Sequence, residues 1–374
     1  MQLQLTQWCR PIAIAALAWM SIPATAADHY GLSPQSITLS SAGPLAFGPD
    51  GILFVGDPKA ATVYAIDTKP SRPQAAAGSS QPNYDISDVG KAIASLASTT
   101  ADAVQIADMA IDHEAGTLFL SVTVGDAAKL VTVNRQNEPQ WVNLDKANSD
   151  SIQLQNPPED QVTGEGRRAS NKRLESITDL AYAEGSVLVS GLSGTSPLAS
   201  VQAFEFPFRE AASTVANIEI YHAAHGRAED YAAIRAFIPI NINGKPSLLA
   251  GFTCTPLVQF SLDSLQTGSK VRGNTIAELG NRNRPLDMIV YEKGDNTYLL
   301  VTNSARGVMK IDTADVAGQS ELTQPVRDGG TAGLPFEKVD SLRNVVQLAK
   351  LDNDRGVALL DNEGRLELTT IALP

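Results

Sequence analysis

The segment HAAHG at residues 222–226 sets His222 and His225 three positions apart, and neutral imidazole is a ligand for zinc and copper. Cys254 offers a thiolate to the same ions, and Glu229 or Asp230 a carboxylate. The spacing departs from the helical zinc pair, in which the two histidines lie four residues apart beside a glutamate. A surface histidine pair and a buried, inert thiol is therefore the competing reading. A second group is Asp108, Asp179 and Asp287, each at the same place near the start of an apolar segment; the equivalent residues elsewhere are Pro44, Ala236 and Gln347. Carboxylates from repeated units that converge on one axis hold a hard cation such as calcium. An aspartate at a strand start also accepts hydrogen bonds from the amides of its own turn, which needs no ion. The cofactor expectation is thus a divalent cation, calcium or zinc. Arg235, Arg282, Arg284 and Arg306 form a third group, suited to a carboxylate or phosphate ligand or to pairing with Asp287 and Glu278. The chain has no Gly-rich phosphate loop, zincin helix or nucleophile elbow. No serine has a triad context, and four histidines are too few for a multi-haem or multi-copper enzyme.

These residues recur because the segments around them recur. Six related stretches begin at Pro44, Ala107, Thr178, Arg235, Leu286 and Val346. Each has apolar or alternating runs of strand length cut by Gly, Asp and Asn turns. Outer strands follow at Gln140–Leu144, Asn217–Tyr221 and Val271–Glu278. Four short antiparallel strands in a long repeat make a propeller blade, so the expected fold is all-β, a six-bladed β-propeller with four-stranded antiparallel blades. The last copy ends after its third strand, and Gln35–Ser40 is a spare strand that can complete it and close the ring. A seventh blade within 136–176 is the alternative, but that stretch is polar and rich in Pro and Gly. In Asp85–Ala97, Ile86, Val89, Ile93 and Leu96 fall on one stripe, which predicts a helix on the rim capped by Asp85 or Ser87. Gly164–Lys172 is polar and basic and reads as a mobile loop.

Phe47-Gly48-Pro49-Asp50-Gly51 with Ile52–Val55, and the strand entry Arg284-Pro285-Leu286-Asp287-Met288, resemble NHL-type and gluconolactonase-like six-bladed propellers. The resemblance lies in blade patterns, which report architecture rather than activity. It implies a divalent cation at the channel mouth, held in that family by Glu, Asn and Asp. Asp287 and Asn303 match that set by blade position alone, and no catalytic residue is carried over.

Propeller topology assigns faces. If the innermost strand starts at the top, the connections between blades and the second-to-third-strand turns also lie on top. The connections are long, as at 78–105, 146–176, 222–234 and 327–343, whereas first-to-second-strand turns such as Glu184-Gly185 are short. Long ordered loops carry function, so the top face is the expected working face. There the sector of blades four and five should join His222, His225 and Cys254 to a ligand set of Arg235, Arg284, Asp287 and Asn303 in one pocket. Residues 1–26 read as a secretory leader: Arg10, then an apolar run, then Ala24-Thr25-Ala26. The mature chain 27–374 is then a single periplasmic or secreted propeller domain, and loss of Arg10 takes the formal charge from −12 to −13. An acidic chain gains nothing from a phosphate backbone, so nucleic acid is an unsuitable partner, and the leader's apolar run is too short to span a bilayer. The function expected is binding of a small molecule, a metal or a protein partner on the top face. A metal-dependent, lactonase-like hydrolase at the channel mouth is the alternative, and a copper redox partner a weaker third.

Overall fold

The computed structural model describes residues 29–69, 82–166, 169–209, 213–266 and 268–374; the leader expected over 1–26 lies outside them. Alternating apolar and polar residues produce short strands, and Gly-containing turns reverse them. Asn243 and Gly244, both at positive φ (51° and 77°), join Ile234–Ile242 to Lys245–Phe252. Glu184 and Gly185 (48° and 77°) join Asp179–Ala183 to Ser186–Ser193 in the same way. Two successive residues with positive φ give the turn whose twist matches that of paired strands.

The strands form six blades, as expected. In chain order the innermost strands are Leu45–Phe47, Val104–Asp112, Asp179–Ala183, Ile234–Ile242, Pro285–Lys293 and Val345–Lys350. Around the ring the order differs. Blades 3, 4, 5 and 6 follow one another, blade 6 then packs on blade 2, blade 2 on blade 1, and blade 1 on blade 3. The outer strands explain this order. Ser213–His222 of blade 3 leads into blade 4, and Asn274–Glu278 of blade 4 leads into blade 5. Asp85–Ile86 pairs with Arg365–Ala372 as the outer strand of blade 6 and leads into blade 2. Ala147–Gln153 pairs with Thr62–Asp67 as the outer strand of blade 1 and leads into blade 3.

The ring is therefore closed on its last blade by a strand from the N-terminal part of the chain, but that strand is Asp85–Ile86 and not Gln35–Ser40. Ser33–Gln35 instead lies on the outer edge of blade 1, against Ala147–Gln153. The expectation assumed that the first and last blades are neighbours, whereas blade 2 stands between them. The polar stretch after blade 2 makes no seventh blade. It supplies blade 1's outer strand and a small hairpin, Val162–Thr163 against Ser170–Asn171; of the loop expected over Gly164–Lys172, residues 167 and 168 lie outside the described residues.

The rim helix runs from Val89 to Leu96, and its cap is Asp88, whose side chain accepts the Lys91 N–H at 2.8 Å. Val89 and Ile93 are fully buried with Val104, Leu118, Val357 and Leu368, which wedges the helix into the seam between blades 2 and 6. Leu96, on the same stripe, is 39% exposed. No helix among the described residues is long and apolar enough to cross a membrane. Because the helix seals the seam where the ring closes, Ile93→Ala should destabilise the protein by about 2–5 kcal/mol. Leu96→Ala should change it by less than about 1 kcal/mol. Urea unfolding followed by tryptophan fluorescence measures both, and equal losses would show that the helix does not pack into the closing seam.

Candidate functional site

Where the six inner strands begin, the channel opens into a cavity of about 480 Å³, to which every blade contributes. Four inner strands carry a register irregularity there, at Ala107, Arg235, Leu286 and Val346. A bulge re-aims the side chain it displaces, and all four of these residues line the cavity. Arg235 thus owes its place at the mouth to a bulge, and Arg284, just before the blade 5 strand, reaches the same cavity.

The three repeated aspartates stand at this mouth and each makes the same pair of bonds. Asp108 Oδ1 accepts the Met109 N–H (2.8 Å) and Oδ2 the Leu45 N–H of blade 1 (2.7 Å). Asp179 accepts Leu180 N–H (2.8 Å) and Phe237 N–H of blade 4 (2.7 Å). Asp287 accepts Met288 N–H (2.7 Å) and Leu348 N–H of blade 6 (2.6 Å). The blades lacking the aspartate offer the amide, so acceptor and donor blades alternate around the ring. Burial pushes the Asp108 carboxyl up to about 7 despite its two amide bonds. It also holds Asp179 and Asp287 well above the usual carboxylate range, with Asp108 adding repulsion to both.

The carboxylate expectation therefore resolves toward structure. Among the described residues the aspartates do not come together as a ligand set; the one group of three or more His, Cys, Asp and Glu that does lies elsewhere. Asn303 is also structural: its Nδ2 donates to the Val301 and Gly307 carbonyls, its Oδ1 accepts from Asn283 Nδ2, and it does not line the cavity. The four arginines divide. Arg235 pairs with Glu175 at 2.8 Å, and with Lys172 it holds that carboxyl below its ordinary value against the effect of burial. Arg306 donates to the Asn281 and Gly329 carbonyls. Arg282 and Arg284 are exposed, and among the described residues neither has an ion-pair partner. Beside Arg284 in the cavity wall, Gln347 donates to the Ala107 carbonyl at 3.1 Å while its Oε1 has no partner.

His222 and His225 lie on the same face but away from this cavity, at the end of blade 3's outer strand. The hairpin Ser213–His222 to Arg227–Glu229 folds Glu229 back beneath them. His222 Nδ1 and His225 Nδ1 each lie 2.8 Å from a Glu229 oxygen, and the two rings stack with centroids 3.8 Å apart. Arg227 and the Tyr231 hydroxyl also donate to Glu229. Burial disfavours the charged form of this carboxyl, but the bonds from His222, His225, Tyr231 and Arg227 bring it down to about 2. Burial lowers the His222 pKa against the pull of Glu229. Glu278, unremarked in the sequence as a ligand, ends the outer strand of blade 4 and faces His222 Nε2 across 3.9 Å. Burial pushes Glu278 up to about 8.

The single pocket expected in the sector of blades four and five is thus two places. Cys254, half-buried at positive φ in the turn after Lys245–Phe252, bonds through its amide to the Asn283 carbonyl and stands outside the histidine group. Asp230 pairs with Lys270 instead.

A carboxyl whose folded pKa is raised costs stability as pH climbs from its unfolded value near 4 toward the folded one. The three mouth aspartates should therefore lower the urea midpoint between pH 5 and pH 8, in the same sense as Glu278 and against His222. A midpoint that rises over that range would show that the mouth carboxyls titrate normally. Asp287→Ala leaves two amides without their acceptor and should cost about 1–3 kcal/mol at pH 5.

No protein-family model matches this chain, and no curated protein matches it. Solved structures do resemble it in shape. A putative 6-phosphogluconolactonase from Bacteroides uniformis is 10% identical with a TM-score of 0.34, over 92% of this chain and 79% of its own. The PQQ-bound aldose sugar dehydrogenase of Streptomyces coelicolor is 10% identical with a TM-score of 0.30, over 90% and 98%. Drosophila Semaphorin 2a is 7% identical with a TM-score of 0.35, over 92% and 75%. The first two are β-propellers, as this chain is, and similarity of this degree concerns architecture alone.

Proposed function

We propose that this chain is an exported binding protein whose central mouth takes a small hydroxylated carboxylic acid. The observation that carries the reading is an arginine without an ion-pair partner, Arg284, at the rim of a polar cavity of about 480 Å³. The volume is within the range of small-ligand sites. A guanidinium at such a rim matches a carboxylate in bidentate fashion. Apart from Arg235, held by Glu175, and the Thr178 hydroxyl, the remaining polar side-chain atoms of the wall are acceptors, namely the aspartate oxygens and Gln347 Oε1, so the rest of the ligand should carry hydroxyl donors. Leu174, Ile177 and Pro285 supply an apolar wall for a carbon chain. Export rests on the leader-like residues 1–26. Hydrolysis of a lactone at the same mouth has less support, because each carboxyl there is already committed to two backbone amides.

Isothermal titration with gluconate, as a simple hydroxylated carboxylate, tests the reading. Binding should be submillimolar. Arg284→Ala should weaken it at least tenfold, about 1.4 kcal/mol, while Arg282→Ala, on the exposed neighbour outside the cavity, should leave it unchanged. Absence of heat with gluconate and with other small hydroxy acids, or an equal loss in both variants, would sink the proposal.

A further inference from the structure

The histidine pair has a geometry that the mouth does not explain. Glu229 accepts a hydrogen bond from Nδ1 of each ring through a different oxygen, 2.8 Å in both cases. A carboxylate bonded to Nδ1–H fixes the tautomer, turns the ring and leaves Nε2 as a lone-pair donor. The two rings lie with centroids 3.8 Å apart and planes tilted by 36°, and each Nε2 is on the side of its ring away from the Nδ1 that meets the carboxylate. His222 is 1% exposed and Glu278 0%. His222 Nε2 and Glu278 Oε1 face each other across 3.9 Å, and neither has a hydrogen-bonding partner in the protein. The other Glu278 oxygen accepts the Ala224 N–H at 3.1 Å, which aims the free one into the gap. A buried imidazole nitrogen and a buried carboxyl oxygen that face each other too far apart to bond are both left unsatisfied, which is costly.

We propose that His222, His225 and Glu278 bind a divalent transition-metal ion of the zinc class at the seam between blades 3 and 4, with Glu229 positioning both imidazoles. Two nitrogens and one carboxylate oxygen are a zinc-type donor set. With bonds of about 2.0–2.1 Å and a tetrahedral angle, His222 Nε2 and Glu278 Oε1 would sit about 3.3 Å apart. That pair need close by only about half an ångström, and the exposed His225 ring must turn in toward Glu278 to join them, because as placed it clusters with His222 and Glu229. The ion would tie the end of blade 3's outer strand to the end of blade 4's, a place where no disulfide does so among the described residues, of which Cys254 is the one cysteine and is free. His225 is 40% exposed in its side chain, so the ion's outward side stays open to water or a further ligand. Of the chain's four histidines, the other two are His29 and His113, far from this seam in the fold.

The test uses untagged, full-length protein stripped with a chelator and titrated with zinc, read by calorimetry and by the thermal midpoint. Wild type should bind one ion per chain at micromolar concentration or tighter, with a rise in Tm. His225→Ala, on the exposed side where folding is safe, should weaken zinc at least tenfold, and Glu278→Gln should do the same. Glu229→Gln, which touches no metal, should weaken it about 10–100-fold, as loss of an orienting partner does. Cys254→Ala and Arg284→Ala should bind zinc like wild type, which keeps this site distinct from the mouth. No stoichiometric binding by the wild type, or binding that Cys254→Ala removes and His225→Ala does not, would overturn the assignment. A Glu278→Gln variant that is more stable and binds zinc unchanged would instead show that a shared proton or water fills the gap, and it would also overturn it.

Discussion

The channel mouth depends on one repeated interaction, a carboxylate that holds two amides on two different blades. Asp108, Asp179 and Asp287 each grip the next residue of their own strand and an inner-strand amide of the neighbouring blade, that of Leu45, Phe237 or Leu348. Hydrogen bonds to a charged acceptor are worth about 1.5–3 kcal/mol each, but the same groups are costly to keep charged when buried. The raised carboxyl pKa values record that cost. Because a clamp spans every second seam, it fixes the spacing of the inner strands in pairs. The bulges at Arg235 and Leu286 then project side chains into a channel whose width is already set. The clamps also constrain chemistry. A carboxylate with both oxygens on backbone amides is a poor general base and a poor metal ligand, which is why the proposed ligand contact at the mouth rests on Arg284.

Much of this was legible in the residues, for local reasons. Strand alternation, Asn-Gly and Glu-Gly turns and the repeated aspartate are short-range signals, and they yield six blades. The reading in which an aspartate serves its own turn also holds, though only for one oxygen of each. The second amide lies on another blade and has no trace in sequence spacing. Ring order was not legible either. It depends on a two-residue strand, Asp85–Ile86, and on Ala147–Gln153 returning to a blade passed earlier, pairings that carry little apolar pattern of their own. The rim helix shows the same division. Its buried stripe was evident, yet its cap is Asp88 rather than Asp85, because Asp85 is occupied in the closing strand.

The site expectations failed in one instructive direction. Topology assigns a residue to a face of a propeller but not to a radius. His222 ends an outer strand and Arg284 precedes an inner one, so both are on top, yet they do not share a cavity. Glu278 was overlooked as a ligand because it closes an apolar strand, Thr275-Ile276-Ala277-Glu278-Leu279, and reads as its polar end. The available signal was its burial. A glutamate inside an apolar outer strand must find partners, and it meets the Ala224 amide at 3.1 Å and faces the His222 imidazole of the preceding blade across 3.9 Å.

The two places are nonetheless joined by a single stretch of backbone, because the connection that starts at Glu278 ends at Arg284. The residue just before Arg284 decides whether they act on each other. Asn283 is 3% exposed and is held three ways: its carbonyl accepts the Cys254 N–H (2.8 Å), its Oδ1 accepts the Ala305 N–H (3.0 Å), and its Nδ2 donates to Asn303 (3.1 Å). The Thr255 carbonyl accepts the Leu279 N–H nearer the start, at 3.0 Å. A half-ångström adjustment at Glu278 is therefore absorbed before it reaches the arginine, since a closely hydrogen-bonded segment does not bend continuously. Energetic coupling needs an element with two arrangements that both sites bias, and a connection pinned at Leu279 and Asn283 offers only one. Cys254 and Asn303, which the sequence suggested as members of a site, serve with Asn283 as the anchor of the connection between the seam and the mouth.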